Sequence, residues 1–290
     1  MQGAGLERAL PYLLLAPALL LFLAIFVYPL IEGVRASTSF YRFGRPVGNV
    51  GLQNYIDVLR DPLFRSALWV TLRFVFLAVP LEAILGLALA LFCAREMRFI
   101  RAVRTMLIVP MVIMPVVVGI VFRLIYASDV GLPSAVSRAL GGGPVQILGS
   151  ESRSFVAIVA MDVWEWTPLM FLILLAGIQS LPVEPFEAAR VDGASSWRTF
   201  WDHTFPMLRP VLAVAVVLRT VDAFGTFDQV FVLTNGGPGT ATQLLSIYGY
   251  KAAFKFVQFG FAAAMLLMVS LLVLALAFLA VRLIRSRVEA

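Results

Sequence analysis

The sequence predicts an all-α integral membrane protein with six transmembrane helices, on three observations. Of the 290 residues, 61% are hydrophobic and only 14% charged, where soluble domains carry roughly a quarter. Six runs are free or nearly free of charge and approach or exceed the roughly 20 apolar residues that a spanning helix needs. In lipid such runs must be helical, because an unpaired strand would leave its backbone N–H and C=O groups unsatisfied.

The first run, 9–31, follows Arg8 in a manner that mimics a signal peptide. It stays uncharged as far as Glu32, longer than the apolar core of a signal peptide, so it reads as a retained first span. The loop Glu32 to Arg65 holds Gly51-Leu52-Gln53-Asn54-Tyr55 and then a mixed segment through Asp61-Pro62, which reads as a turn and a short amphipathic helix at the interface. Spans two and three, 74–94 and 105–126, enclose Arg95, Arg98, Arg101 and Arg104. Span four, 156–181, follows a loop with Gly141-Gly142-Gly143-Pro144; span five is 211–233. The loop after it opens with Asn235-Gly236-Gly237-Pro238-Gly239, and span six is 256–281, followed by Arg282, Arg285 and Arg287. The glycine-proline openings read as turns or flexible linkers. Six spans use about 120 residues, which leaves loops but no second domain, so 1–290 is expected to form a single transmembrane domain.

The formal charge of +6 is best explained by where it sits. Arginines crowd the ends of spans at 95–104 and after 281, as the positive-inside rule places them, so both termini and the second and fourth loops are expected inside. The first loop carries Arg35, Arg42, Arg45, Arg60 and Arg65, so raw totals on the two sides nearly tie and density at span ends decides. No aromatic or glycine-rich platform accompanies the arginines, so a nucleic-acid partner is excluded. Cys93 is the sole cysteine and His203 the sole histidine, so neither a disulfide framework nor a set of metal ligands is in view.

The segment 182–206 between spans four and five is polar yet helically patterned. Pro185 suits a first helical turn, Glu184 and Glu187 suit its positive end, and Gly193 suits a left-handed stop. Ser195 or Ser196 then caps a second helix with Trp197, Phe200 and Trp201 on one face. Ala188, Ala189 and Gly193 keep the first helix slender enough to seat in a partner's groove. Packing beneath its own bundle is the alternative.

Glu187-Ala188-Ala189, Asp192-Gly193 and Pro206 resemble the coupling motif of binding-protein-dependent ABC importer permeases, with His203 and Phe205 where Ile and Leu are usual. The stretch Phe227-Asp228-Gln229 through Gly236-Gly237-Pro238-Gly239-Thr240-Ala241-Thr242 is similar to the sugar-type, maltose-type branch. Gly51 to Tyr55, Pro168 and Leu181-Pro182 extend the likeness over most of the chain. The resemblance implies a type I ABC importer permease fold whose coupling helix, with Glu187, Ala188, Ala189, Asp192 and Gly193, engages an ATPase. It also implies a second homologous permease, two cytoplasmic ABC ATPase subunits that bind ATP and Mg, and an external solute-binding protein. The chain itself would then bind no cofactor, be no enzyme, and lie in the cytoplasmic (inner) membrane among its lipids.

An ionisable group at membrane depth faces a cavity or a partner. Arg73 and Glu82, flanking the outer half of span two, Asp162 and Glu165 in span four, and Arg219 and Asp222 in span five are such groups. Sugar recognition wants acceptors interleaved with aromatic rings, and Trp164, Glu165, Trp166, Asp222, Phe224, Phe227 and Asp228 supply that mixture. Two bland readings stand beside it: Arg219 and Asp222, three apart, neutralise each other, and tryptophans near span ends anchor at the interface. Arg73 and Arg123 are placed to snorkel.

With no G-x-x-x-x-G-K-[S/T] loop in the chain, nucleotide binding is expected elsewhere. The function expected is a pore-forming subunit moving a sugar by alternating access. A glycerol-3-phosphate importer would favour cationic pore residues such as Arg219. A secondary transporter would favour inverted repeats or paired broken spans, and a membrane enzyme would need a convergent catalytic set.

Overall fold

The computed structural model describes residues 3–42, 44–94 and 99–288. Arg95 and Arg98 of the arginine-rich linker, and the side chains of Arg8, Arg285 and Arg287, lie outside the described residues. The chain divides into two compact units, 1–62 with 249–271, and 63–248 with 272–290.

In the first unit, α1 (Gly3–Phe22) runs through a π-helical turn at Leu23–Val27 into α2 (Tyr28–Ser37). The most apolar part of Leu14–Ser37 buries nothing inside the chain, as a helix surrounded by lipid would, and Ser37 at its end is buried. After it comes a feature that helical periodicity does not announce: an antiparallel hairpin of β1 (Ser39–Arg42) and β2 (Arg45–Asn49), turned at Gly44 and bulged between Phe40 and Tyr41. The expected turn and short helix follow it. Asn49 Oδ1 accepts from Gly51 N at 2.7 Å, and α3 (Gln53–Arg60) begins at once. Asn54 Nδ2 donates to the Ser37 and Ser39 carbonyls at 2.8 and 3.0 Å, and the Tyr55 hydroxyl meets that of Ser37 at 2.7 Å. Gly51 to Tyr55 is therefore a clamp on the end of α2 and the start of the hairpin.

The second unit holds α4 (Pro62–Cys93), α5 (Ile100–Val112), α6 (Pro115–Ile125), α7 (Leu132–Ala139) and α8 (Glu151–Gln179). It continues with α9 (Glu184–Val191), α10 (Ser196–Thr199), α11 (Phe205–Phe224), α12 (Asp228–Thr234) and most of α13 (Leu245–Tyr250). A π-helical turn, Phe200–Thr204, joins α10 to α11, and α14 (Phe259–Val288) passes from the first unit into the second. Among the described residues four helices are long and apolar enough to span, and two bent pairs, each taken as one span, bring the total to six.

Neither bent pair is the unbroken run that hydropathy suggests. The run 105–126 falls in α5 and α6, which meet at 95°. Pro115 excludes the helical region for the residue before it, and Ile113 and Met114 are both extended, with ψ of 136° and 133°. The run 211–233 bends by 47° between α11 and α12, with Gly225, Thr226 and Phe227 as the joint. The loop after α12, expected to be a turn or linker, is stapled. The Thr234 and Thr242 hydroxyls lie 2.7 Å apart, and Thr242 also donates to the Gly237 carbonyl at 2.8 Å.

The core of this unit gathers Phe74, Val75 and Ala78 of α4, Ile158, Met161 and Met170 of α8, and Ala215 and Phe224 of α11. Lipid supplies no hydrophobic drive between helices, so small residues that let backbones approach hold such bundles together. Gly86 does this for α4 and α8: a Cβ there would lie 2.6 Å from Met170 Cβ and 2.9 Å from Phe171 N. Gly86→Ala is expected to force the two helices apart and destabilise the protein by about 1–3 kcal/mol, read as a lowered thermal midpoint in detergent.

Candidate functional site

Two places in the second unit carry chemistry. The first is a buried ion cluster. Arg219 on α11 is fully buried and donates through Nε and Nη2 to both carboxylate oxygens of Glu82 on α4, at 2.8 and 3.2 Å. Nη2 also donates to Asp162 Oδ2 on α8, and Nη1 to Asp222 Oδ2, one turn along α11, at 3.0 Å. Gln229 of α12 donates to the other Asp162 oxygen at 3.3 Å. Below the guanidinium lies the Trp166 ring, 5.1 Å from its carbon.

The i, i+3 neutralisation of Arg219 by Asp222 is thus present but is only one of three pairings. Glu82 and Asp162 are wholly buried, whereas the Asp222 side chain is 53% exposed. A cation in an apolar interior is tolerated only when paired and hydrogen-bonded, and three spans contribute to that here.

Of the residues singled out for a substrate path, the cluster brings together Glu165, Trp166 and Asp222. Glu165 is buried, and its Oε2, like Trp166 Nε1, meets no hydrogen-bonding partner among the described residues. Phe224 is buried in the core at the end of α11. Phe227 stacks on Phe231 at 5.0 Å, and Asp228 is exposed at the start of α12. Trp164 stands apart from Glu165 and Trp166: it packs on Phe122 and lines an apolar groove. Sequence reasoning missed Gln229, whose amide is nearly buried against Asp162, and the Glu82 to Arg219 pairing across 137 positions. No local signal reveals such a pair, beyond the presence of compensating charges in separate apolar runs.

The second place is the segment between α8 and α11. Pro185 lies in the first turn of α9 with Glu184 and Glu187, and Gly193 has φ of +71°. Ala194 N donates to the Ala189 carbonyl at 2.9 Å, and Gly193 N to that of Arg190 at 3.1 Å, the two bonds of a Schellman stop. Ser195 accepts from Arg198 N and caps α10. Trp197, Phe200 and Trp201 then cluster edge to face with Phe205. On α9 only Ala189 is buried; Glu187, Ala188, Asp192 and Gly193 are exposed, and Val191 is 88% exposed. Arg104, at the linker on the same side of the apolar runs, reaches the Cys93 carbonyl at 2.7 Å.

Residues 83–289 match the family described as the binding-protein-dependent transport system inner membrane component. Over 274 residues the chain is 36% identical to the trehalose/maltose transport system permease protein MalF of Thermococcus litoralis, covering 92% of this chain and 91% of that one. It is 31% identical to the arabinooligosaccharides transport system permease protein AraP of Bacillus subtilis, covering 96% and 89%. A chain of a bacterial ABC transporter involved in the import of the acidic polysaccharide alginate superposes with a TM-score of 0.85, at 22% identity and over 98% of both chains.

If the cluster holds the three spans together, Arg219→Met should leave buried carboxylates unpaired and cost about 3–5 kcal/mol. The thermal midpoint in detergent checks this; an unchanged midpoint would deny the cluster its structural role.

Proposed function

The chain belongs to the family of binding-protein-dependent transport system inner membrane components, and from that premise we propose that it is a pore-forming permease subunit of an ATP-driven ABC importer for a sugar: an oligosaccharide, a disaccharide or a polyol. The observation that carries the proposal is α9, a short helix with Pro185 in its first turn and a left-handed stop at Gly193, which leaves Glu184, Glu187, Ala188 and Val191 uncovered. A connection that served only to join two spans has no need of such a face, whereas a helix seated in a partner's groove does.

Sugar is favoured over a phosphorylated substrate by the state of Arg219. All three of its nitrogens already donate to carboxylates, so no cationic face is left for a phosphate. What remains is acidic and aromatic: the exposed edge of Asp222, the unpartnered Glu165 Oε2 as acceptor, Trp166 Nε1 as donor, and the stacked Phe227. Sugar hydroxyls need such acceptors and donors, and ring C–H faces need aromatic surface. Phe224 and Asp228 lie next to this set on α11 and α12. The broken spans, a feature expected of a secondary transporter, are the work of Pro115 and Gly225 in a chain whose whole length matches importer permeases.

The assembly proposed has a second homologous permease, two cytoplasmic ABC ATPase subunits that hold ATP and Mg, and an external solute-binding protein. The arginine-rich ends of the spans face inward, so both termini and α9 are cytoplasmic. Residues 1–290 then act as one transmembrane domain. Closure of the ATPase pair moves α9 through Glu187, Ala188, Ala189, Asp192 and Gly193, the spans rock, and the path opens outward; resetting opens it inward. A lever of this kind needs two stable packings.

Gly193→Asp is expected to abolish transport and ATPase stimulation while the chain still inserts in the membrane; full transport would count against the lever. Because a Cβ at Gly193 meets nothing, Gly193→Ala acts only through its left-handed backbone, a strain of about 1–2 kcal/mol, and should reduce transport less. Glu165→Gln keeps the volume and removes the charge. It should raise the KM for transport by about tenfold, the worth of one charge-assisted hydrogen bond, with little change in expression.

A further inference from the structure

On a face of α8 turned away from Glu165 and the ion cluster, two cavities adjoin. The first, about 590 Å³, is lined by Ser66, Trp69 and Arg73 of α4 and by Glu151, Ser152 and Phe155 of α8. The second, about 700 Å³, is a groove walled by Leu85, Leu89, Met106, Pro110, Val163 and Trp164. Leu81, Val156 and Val159 line both, so a chamber that holds two charged side chains borders an apolar trough.

The depth of the chamber suits a lipid. Arg73 stands twenty residues before Cys93 on the unbroken α4, a rise of about 30 Å at 1.5 Å per residue, which is one hydrocarbon thickness. Trp69, one turn beyond and largely exposed, then lies in the interfacial aromatic belt. Arg73 rests on the Phe155 ring at 4.8 Å, and among the described residues it forms no ion pair; nor does Glu151. A guanidinium and a carboxylate, both unneutralised, thus share one chamber above a trough of acyl-chain character. Plain snorkelling explains the arginine but neither the trough nor the carboxylate.

We propose that this chamber and groove bind one phospholipid with an amine-bearing headgroup: the phosphate on Arg73, the ammonium on Glu151, and an acyl chain along the groove past Leu85 and Val163. The charges in the chamber complement those of a phosphate and an amine. An anionic headgroup would leave Glu151 facing its own charge sign.

Native mass spectrometry of the importer, purified with its partner subunits and reconstituted in equal phosphatidylethanolamine and phosphatidylglycerol, tests this. The expected result is one retained phosphatidylethanolamine per copy of this chain, favoured over phosphatidylglycerol by about tenfold, the scale of one charged contact. Arg73→Gln should lower retention, Glu151→Gln should abolish the headgroup preference, and Arg65→Gln, two turns away on α4, should change nothing. Ala160→Phe, which fills the groove and keeps every charge, should also lower retention and guards against a folding defect in the arginine variant. Undiminished retention in Arg73→Gln or Ala160→Phe overturns the proposal. So does a preference for phosphatidylglycerol, a preference that survives Glu151→Gln, equal binding of free glycerophosphoethanolamine, or a crosslink from Ala160→Cys to a second permease chain.

Discussion

The second unit is organised around a single cation. Arg219 is buried where its charge cannot be hydrated, and three carboxylates from α4, α8 and α11 compensate it. Desolvation makes an unpaired charge there far more costly than any single apolar contact in the core, so the register of the three helices is set by the need to bring Glu82, Asp162 and Asp222 to one guanidinium. The close approach at Gly86, one turn from Glu82, makes that register sterically accessible. The same pairing divides the polar residues by role. Glu82 and Asp162 are spent on the cation, whereas Glu165 Oε2 and Trp166 Nε1 stay without a hydrogen-bonding partner among the described residues and Asp222 keeps an exposed edge.

The bends in spans three and five serve the same cluster. A straight continuation of α11 would carry Gln229 away along the helix axis; the turn at Gly225 to Phe227 folds α12 back so that the Gln229 amide reaches Asp162. α6, set off from α5 by Pro115, packs against α12 and supports it. Non-helical backbone at membrane depth is tolerated where protein surrounds it, and the half-helices surround each other.

Parts of this were legible in the sequence because their causes are local. The start and stop of α9, the Ser195 cap and the aromatic face of α10 follow from residues within one or two turns of each other, and the structure places each where that chemistry requires. Asn54 and Tyr55 were legible only as part of a turn; their work on the Ser37 and Ser39 backbone needed the fold. The hairpin at Ser39–Asn49 was hidden because its strands are short and its outer face is mostly exposed, leaving no alternation to read. Trp164 and Glu165, neighbours in sequence, point about 100° apart on a helix, so proximity along the chain overstated their common role.

Composition and run length by themselves determined that this chain lives in a membrane, is helical, and crosses about six times, since the cost of unsatisfied backbone in lipid admits no other answer. The Glu-Ala-Ala to Gly segment likewise determined a short helix with a left-handed stop between two spans. Only the tertiary structure decided that Arg219 belongs to Glu82 and Asp162 as well as to Asp222, that two spans bend, and that a charged chamber borders an apolar groove. Those outcomes depend on which helices lie side by side, and a charge carries no record along the chain of the distant partner that neutralises it.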